Sequence, residues 1–369
     1  MPGLERITVH GFKSIREMSL ELKSLNMLIG ANGSGKSNFV GVFKFLNELV
    51  NDSLQLYVGR SGGPDMFLHF GQKTTPQLGM GVDFAPDDKH RANSYSCTLV
   101  PAVGDGFVFS EETAYFHDRQ AYPTPHLTPL GSGHTESKLS STTSGIAHYV
   151  RRAMQSWRIY HFHDTSETAR VKQLGDLDDN RFLRPDASNL AAYLYLLEQT
   201  ERGHYRNIVG AIHLIAPFFD EFSLRPSPLN PDKIRLEWRE KGSDVYFNAH
   251  SLSDGTLRFI CLATLLLQPP ESLPDTILLD EPELGLHPYA ITVLAQLLRA
   301  ASKRTQVIVS TQSVTLVNQF TPEDVVIVDR AEQASRFRRL EQDQVDRWLE
   351  DYRLGDLWEK NVIGGRPSA

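Results

Sequence analysis

Eight consecutive residues, Gly30-Ala31-Asn32-Gly33-Ser34-Gly35-Lys36-Ser37, fit the phosphate-binding pattern G-x-x-x-x-G-K-[ST] at every fixed position. The chemistry of such a loop is capture of a nucleoside triphosphate. Its glycines let backbone N–H groups curl around phosphate oxygens, and the N-terminus of a following helix adds donors and partial positive charge. Lys36 would reach the β- and γ-phosphates and Ser37 would ligate Mg²⁺. A second group, Leu278-Leu279-Asp280-Glu281, ends an apolar run in two carboxylates. Asp280 would orient Mg²⁺ through a water, and Glu281, facing differently one residue on, would accept a proton from the attacking water. A third group, Leu252-Ser253-Asp254-Gly255-Thr256, leads into the apolar segment 257–267. A serine N-cap followed by glycine at a helix N-terminus is another anion site. One subunit does not need two such sites for one γ-phosphate, so either the loop caps ATP held by a second subunit or it is a helix cap with no ligand.

Each group needs an element to present it. Leu25, Met27, Leu28 and Ile29 form a short apolar run that reads as a buried strand, and Phe39, Val40, Phe43, Phe45, Leu46 and Leu49 recur at helical spacing. The phosphate loop therefore sits on a strand-to-helix turn, the context it requires. Thr276 to Leu279 reads as a buried strand delivering its carboxylates to the C-terminal edge, where ligands bind in open α/β sheets. Gln306 to Val309 reads as another, ending in Ser310-Thr311-Gln312-Ser313. If it neighbours the Asp280 strand, Thr311 or Gln312 would sense the γ-phosphate.

Around this core, residues 4–22 read as two strands and residues 77–117 as an antiparallel sheet. Residues 117–145, rich in Pro, Gly, Ser, Thr and His and without period, read as a surface loop. Residues 157–164 read as a strand running into a polar turn. His161 and His163 would share one face of it, as a metal pair would, but no third ligand stands at a sensible spacing and such histidines are more often plain polar residues. Residues 187–219 read as helical and 222–247 as strands, and no heptad run suggests a coiled-coil arm. The expected organisation is an N-terminal ATPase lobe (1–120), a central region of loop, helices and strands (121–250), a C-terminal ATPase lobe (251–330) and a helical tail (331–369).

At 369 residues, 22% charged and with a net charge of −7, the chain reads as an ordinary water-soluble protein. Its longest apolar run falls short of a membrane span and no signal segment opens it, so a cytoplasmic location without membrane partners is expected. Cys97 and Cys261 are too few for a disulfide scaffold and read as packed core thiols. The charge argues against a strongly basic DNA-binding domain, while Arg151-Arg152 and Arg336, Arg338 and Arg339 could still make a local patch for phosphates.

Taken together, the start Ile7-Thr8-Val9-His10-Gly11-Phe12-Lys13-Ser14-Ile15, the loop from Gly30 to Asn38, the signature-like segment from Leu252 to Thr256 and Asp280-Glu281-Pro282-Glu283-Leu284-Gly285-Leu286-His287-Pro288 resemble the ABC-type ATPases of the SMC, RecF and OLD group. The resemblance implies an α/β P-loop head with a mixed or antiparallel β subdomain and a helical subdomain. It implies ATP and Mg²⁺ as cofactors, with Asn32, Gly33, Ser34, Gly35, Lys36, Ser37 and Asn38 binding nucleotide and Ser37 and Asp280 the metal. It implies a homodimer in which Ser253 and Gly255 of one subunit close over ATP on the other, Glu281 and Gln312 as catalytic residues, and a subunit contact at residues 286–288.

Three positions depart from the group. The switch position, usually His, is Gln312, which cannot take up a proton at neutral pH, so turnover is expected to be slow. Asp254 replaces the second glycine of the signature. The glutamine usual between phosphate loop and signature has no clear equivalent, with Gln72, His163 and Asp164 as candidates.

OLD proteins carry a C-terminal nuclease domain, whereas only about 40 residues follow the Val325–Val328 run here, too few for an ordinary domain. The leading expectation is an ATPase that switches a separate effector, a nuclease, in anti-phage defence or DNA repair. A DNA-binding repair clamp without a nuclease and a transporter nucleotide subunit are the alternatives. The absence of an Asn-Lys-x-Asp motif speaks against a GTPase. Val345, Trp348, Leu357 and Trp358 of the tail, which ends in the loop 364–367, would pack on the core or dock a partner.

Overall fold

Odd and even residues of the strand Leu25–Ile29 enter two different cores: Leu25, Met27 and Ile29 join one, Leu28 the other, and all five residues are buried. Burial on both faces is what a central strand of a parallel sheet demands, and it explains the unbroken apolar run. The computed structural model, which describes residues 3–142 and 145–365, places this strand inside a six-stranded sheet. The order across that sheet is Ala334–Arg339, Val325–Ala331, Leu25–Ile29, Gln306–Thr311, Thr276–Asp280, Trp157–Tyr160. All neighbours run parallel except the first pair, a hairpin at the edge.

The even face (Leu28, Leu278, Ile308, Val326) packs on the helix Lys36–Val50, and beyond it lies a six-stranded antiparallel sheet whose inner residues include Ile7, Val9, Met80, Val82 and Leu99. The odd face (Met27, Ile277, Leu279, Val307) packs on the helices Leu190–Thr200, Arg202–Ile215, Asp254–Leu267 and Pro288–Ala301. The phosphate-loop helix and the signature helix Asp254–Leu267 therefore lie on opposite faces of the parallel sheet. Both cysteines are buried core thiols, each pushed up to about 12 by that burial.

One expectation is corrected. Within residues 117–145, His126–Gly131 forms the sixth strand of the antiparallel sheet, pairing with Gly106–Asp118 in the register Tyr115↔Leu127. No residue of that strand is buried, so no alternation marks it, and Pro129 is tolerated because this is the sheet's edge. The segment after it is held by a buried carboxylate: Glu112 accepts from Tyr95 Oη (2.8 Å), the Lys138 N–H (2.9 Å) and the Ser137 hydroxyl, with His134 Nε2 at 2.8 Å. A buried charge so fully partnered fixes chain that composition alone marks as loop.

The tail packs rather than extends. Val345, Leu357 and Trp358 are buried in the odd-face core while Trp348 is 47% exposed. The Gly365 carbonyl accepts from the Ala31 N–H at 2.8 Å, tying the tail to the phosphate loop. Positions 366 and 367 of the expected terminal loop lie outside the described residues. Among the described residues no helix is long and apolar enough to cross a membrane.

Candidate nucleotide site

Parallel register gathers the site. Ile29 pairs with Thr311, Ser310 with Asp280 and Leu279 with Tyr160, so the segments that follow all leave the same C-terminal sheet edge. Lys36, buried, donates to the carbonyls of Gly30 and of Ala31 (3.0 Å). Burial holds its ammonium below the usual lysine range, while the charges of Glu281, Asp280 and Glu283 pull the other way. Those interactions place the carboxylates beside the phosphate loop. Ser37, Asn32 and Gly33 are exposed on the loop. An exposed hydroxyl and carboxylates are hard oxygen donors, and the set fits Mg²⁺.

Two loop glycines answer to neighbours far away in sequence. A Cβ at Gly30 would collide with the Val328 carbonyl oxygen, and one at Gly35, where φ is 120°, would lie 2.7 Å from Ser335 Cβ. Ser335 is part of a polar chain under the loop: its hydroxyl lies 2.6 Å from Ser14 Oγ and donates to the Ser34 carbonyl at 2.5 Å, and the Asn38 amide donates to Ser14 Oγ at 2.7 Å. The Asn38 side chain is thus committed to the first hairpin.

Glu281 has φ 43°, the left-handed region that a non-glycine residue enters at a cost of about 1–3 kcal/mol. Its N–H donates to the Ser310 carbonyl at 2.8 Å and its Oε1 accepts from Gln312 Nε2, so the carboxylate is aimed from both sides. Glu283, to which sequence reading assigned no role, is buried and accepts at Oε1 from the Thr311 hydroxyl (2.5 Å) and the Gln312 N–H (3.2 Å). Burial pushes its carboxyl above the ordinary range, with those hydrogen bonds opposing. Among the described residues Glu283 Oε2, Ser310 Oγ and Ser34 Oγ are buried without a hydrogen-bond partner, and all three belong to the converging segments. A sequence signal for Glu283 existed only in the Glu281-Pro282-Glu283 spacing.

Ser253 caps its helix by accepting from the Thr256 N–H at 3.2 Å. Gly255 needs to be glycine within its own chain, because a Cβ would fall on the Gly285 carbonyl. Arg258, one turn along and buried, clamps two loops: Nε donates to the Phe162 carbonyl (2.9 Å), Nη2 to that of His163 (3.2 Å) and Nη1 to that of Leu284. Arg258→Met should leave three carbonyls without this donor and lower unfolding free energy by about 3 kcal/mol in urea melts. Arg258→Lys, whose single ammonium cannot span the three, should recover only part of that loss.

Of the residues proposed for the missing glutamine, His163 comes to the site, lining a small cavity with Asp280, Glu281 and Arg258. Gln72 lies on an exposed turn, its N–H donating to Asp65, and Asp164 accepts from Ser166. The proposed DNA-binding arginines are largely engaged elsewhere. Arg339 donates to the carbonyls of Glu323 and Glu21 and to Asn26 Oδ1, Arg338 to the Ile363 carbonyl and Arg151 to that of Ser140, while Arg336 pairs with Glu332. Arg338 and Arg339 thus pin the edge hairpin to its surroundings.

This sheet, with a glycine-rich loop, a carboxylate pair and a serine-capped helix at these positions, has the fold of a P-loop ATPase head of the Smc kind. Residues 97–318, more than half of the chain, match the family described as AAA domain, putative AbiEii toxin, Type IV TA system, and the chain belongs to that family. Residues 3–68 also match a family described as a protein of unknown function, DUF2813. A putative ABC transporter ATP-binding protein of Methanosarcina acetivorans is 30% identical over 142 residues, 34% of this chain and 50% of that protein. The chain thus spans half the length of the curated relative it matches. A solved Smc head bound to the C-winged helix domain of ScpA has a TM-score of 0.62 at 14% identity, with 94% of this chain and 100% of that one covered. An Smc head with an extended coiled coil, bound to the C-terminal domain of ScpA and derived from Pyrococcus furiosus, gives 0.59 at 15% identity, with 95% and 99% covered. At these identities the likeness is one of fold.

Proposed function

We propose that the chain binds and hydrolyses ATP in a homodimer whose two sites are each built from both copies, and that closing and opening of the dimer switches a separate effector. The observation that carries this reading is the placement of the signature helix and the phosphate-loop helix on opposite faces of one sheet. Ser253 and Gly255 are then best used against a nucleotide on another copy. Gly33 to Ser37 would hold the phosphates, Asn32 and Asn38 would flank them, and Lys36 would leave its loop carbonyls to meet the β- and γ-oxygens. Ser37 and Asp280 would hold Mg²⁺, which offsets phosphate charge when bound. Glu281 would accept the proton of the attacking water, with Gln312 fixing the carboxylate's direction. Because Gln312 cannot itself carry a proton, turnover would be slow.

The effector we favour is a nuclease on another polypeptide, acting in anti-phage defence or DNA repair in the cytoplasm. The family's description as a putative toxin of a toxin–antitoxin system and the ScpA-bound state of the Smc heads both support a head that works through a partner. A DNA clamp needs free guanidinium groups, and the engagement of Arg338 and Arg339 weakens it.

The composite site is tested by mixing. Lys36→Ala and Ser253→Arg chains should each be inactive alone, and an equal mixture should recover about a quarter of wild-type ATPase, since half of the dimers are mixed and each holds one intact site. A mixture as inactive as its components would argue for sites completed within one chain. Co-purification from the native host with mass spectrometry tests the effector; recovery of nothing beyond a second copy would count against it.

A further inference from the structure

We propose that in the nucleotide-free chain His161, His163 and Asp280 form a binding site for a first-row transition-metal dication, distinct in its two imidazole ligands and sharing Asp280 with the Mg²⁺ assigned above. The strand Trp157–Tyr160 runs parallel to Thr276–Asp280 with Leu279 paired to Tyr160, so His161 and Asp280 emerge side by side at the sheet edge. His163 follows two residues on, its ring 6.2 Å from that of His161. One ligand atom from each of the three residues lies within 4.8 Å of the other two. Asp280 is the third ligand that no sequence spacing could supply, 117 residues away from His163 along the chain.

The backbone beneath this group is fixed, while its side chains meet one another and Lys36 through ring and charge contacts. The His161 N–H donates to the Pro185 carbonyl at 3.0 Å, and Arg258 holds the carbonyls of Phe162 and His163. Among the described residues no hydrogen bond or ion pair engages either imidazole or the Asp280 carboxylate. Ligands about 2.0–2.2 Å from a common ion stand closer together than this spread, so binding requires rotation about the side-chain torsions of His161 and His163. Two imidazoles and one carboxylate, with coordination positions left open, suit the ions from Mn²⁺ to Zn²⁺, whereas Mg²⁺ takes oxygen ligands. An ion held there would tie the edge strand to the strand that carries Glu281.

Co²⁺ titration of the full chain, without nucleotide and in excess Mg²⁺, tests the site through the d–d absorption of the bound ion. The wild type should bind one Co²⁺ per chain, and His161→Asn and His163→Asn should each weaken binding at least about tenfold while melting at the wild-type temperature. Lys36→Ala should keep the Co²⁺ spectrum and lose ATP, which separates failure of this site from failure of the nucleotide reading. Asp280→Asn, probed with Mn²⁺ by electron paramagnetic resonance, gives a second measurement should a histidine variant not fold. Equal Co²⁺ affinity in the wild type and a folded His161→Asn/His163→Asn double variant would overturn the proposal, leaving the histidines as plain polar residues.

Discussion

Glu281→Gln is expected to bind ATP normally, to turn over about 10²–10³-fold more slowly and to accumulate as an ATP-bound dimer. The substitution keeps the size of the side chain and leaves an amide oxygen to accept from Gln312 Nε2, so the pairing that aims residue 281 survives. What it removes is the capacity to take a proton. The backbone argument points the same way: φ of 43° and the N–H bond to the Ser310 carbonyl place residue 281 off the strand line that ends at Asp280, where a carboxylate can act apart from the one given to Mg²⁺. Light scattering with saturating ATP and Mg²⁺, beside a phosphate-release assay, reads both parts of the expectation. A variant that stays monomeric, or that hydrolyses ATP at the wild-type rate, would sink the assignment of Glu281 as the base.

Gly35→Ala should be as damaging by a different route. At φ 120° an alanine is strained whatever surrounds it, and its methyl would meet Ser335 Cβ at 2.7 Å and Ser14 Oγ at 3.1 Å. Together these should cost about 2–4 kcal/mol of stability and displace the loop proposed to hold the phosphates, weakening ATP binding by more than about 100-fold. Adding Ser335→Gly removes the nearest obstructing atoms but leaves Ser14 Oγ and the strained torsion, so partial recovery is expected. Gly33→Ala is the matched control, because a Cβ there meets nothing within 4 Å and only its φ of 77° is at issue. Urea unfolding and binding of a fluorescent ATP analogue measure the series. Equal losses for Gly33→Ala and Gly35→Ala would show that torsion alone, and not the Ser335 hairpin, sets the requirement.

Glu283 extends the site beyond the two carboxylates that a sequence motif singles out. Its hydrogen bonds join the loop after Asp280 to Thr311 and Gln312, linking the two strand ends at the candidate site. Its second oxygen, buried without a hydrogen-bond partner, lies in a set with Ser310 Oγ and Ser34 Oγ, the kind of unpaired polar surface that a polyanionic ligand or ordered water satisfies.

Much of the candidate nucleotide site is proposed from the chain alone because its parts are local. The loop from Gly30 to Ser37, the Asp280-Glu281 pair and the Ser253 cap each depend on residues a few positions apart, and the apolar runs that carry them have no polar face, as strands buried on both sides require. The strand His126–Gly131 escaped because its sequence, with leucines three apart at 127 and 130, shows no alternation of apolar residues, and none of its residues is buried. The tertiary structure alone decided which distant residues meet at the sheet edge. It set Ser335 against Gly35, drew Arg258 onto two separate loops, spent Arg338 and Arg339 on the chain's own carbonyls, and brought Asp280 to His161 and His163. Those meetings follow from strand order and register, which long-range packing of both sheet faces selects and which no spacing along the chain encodes.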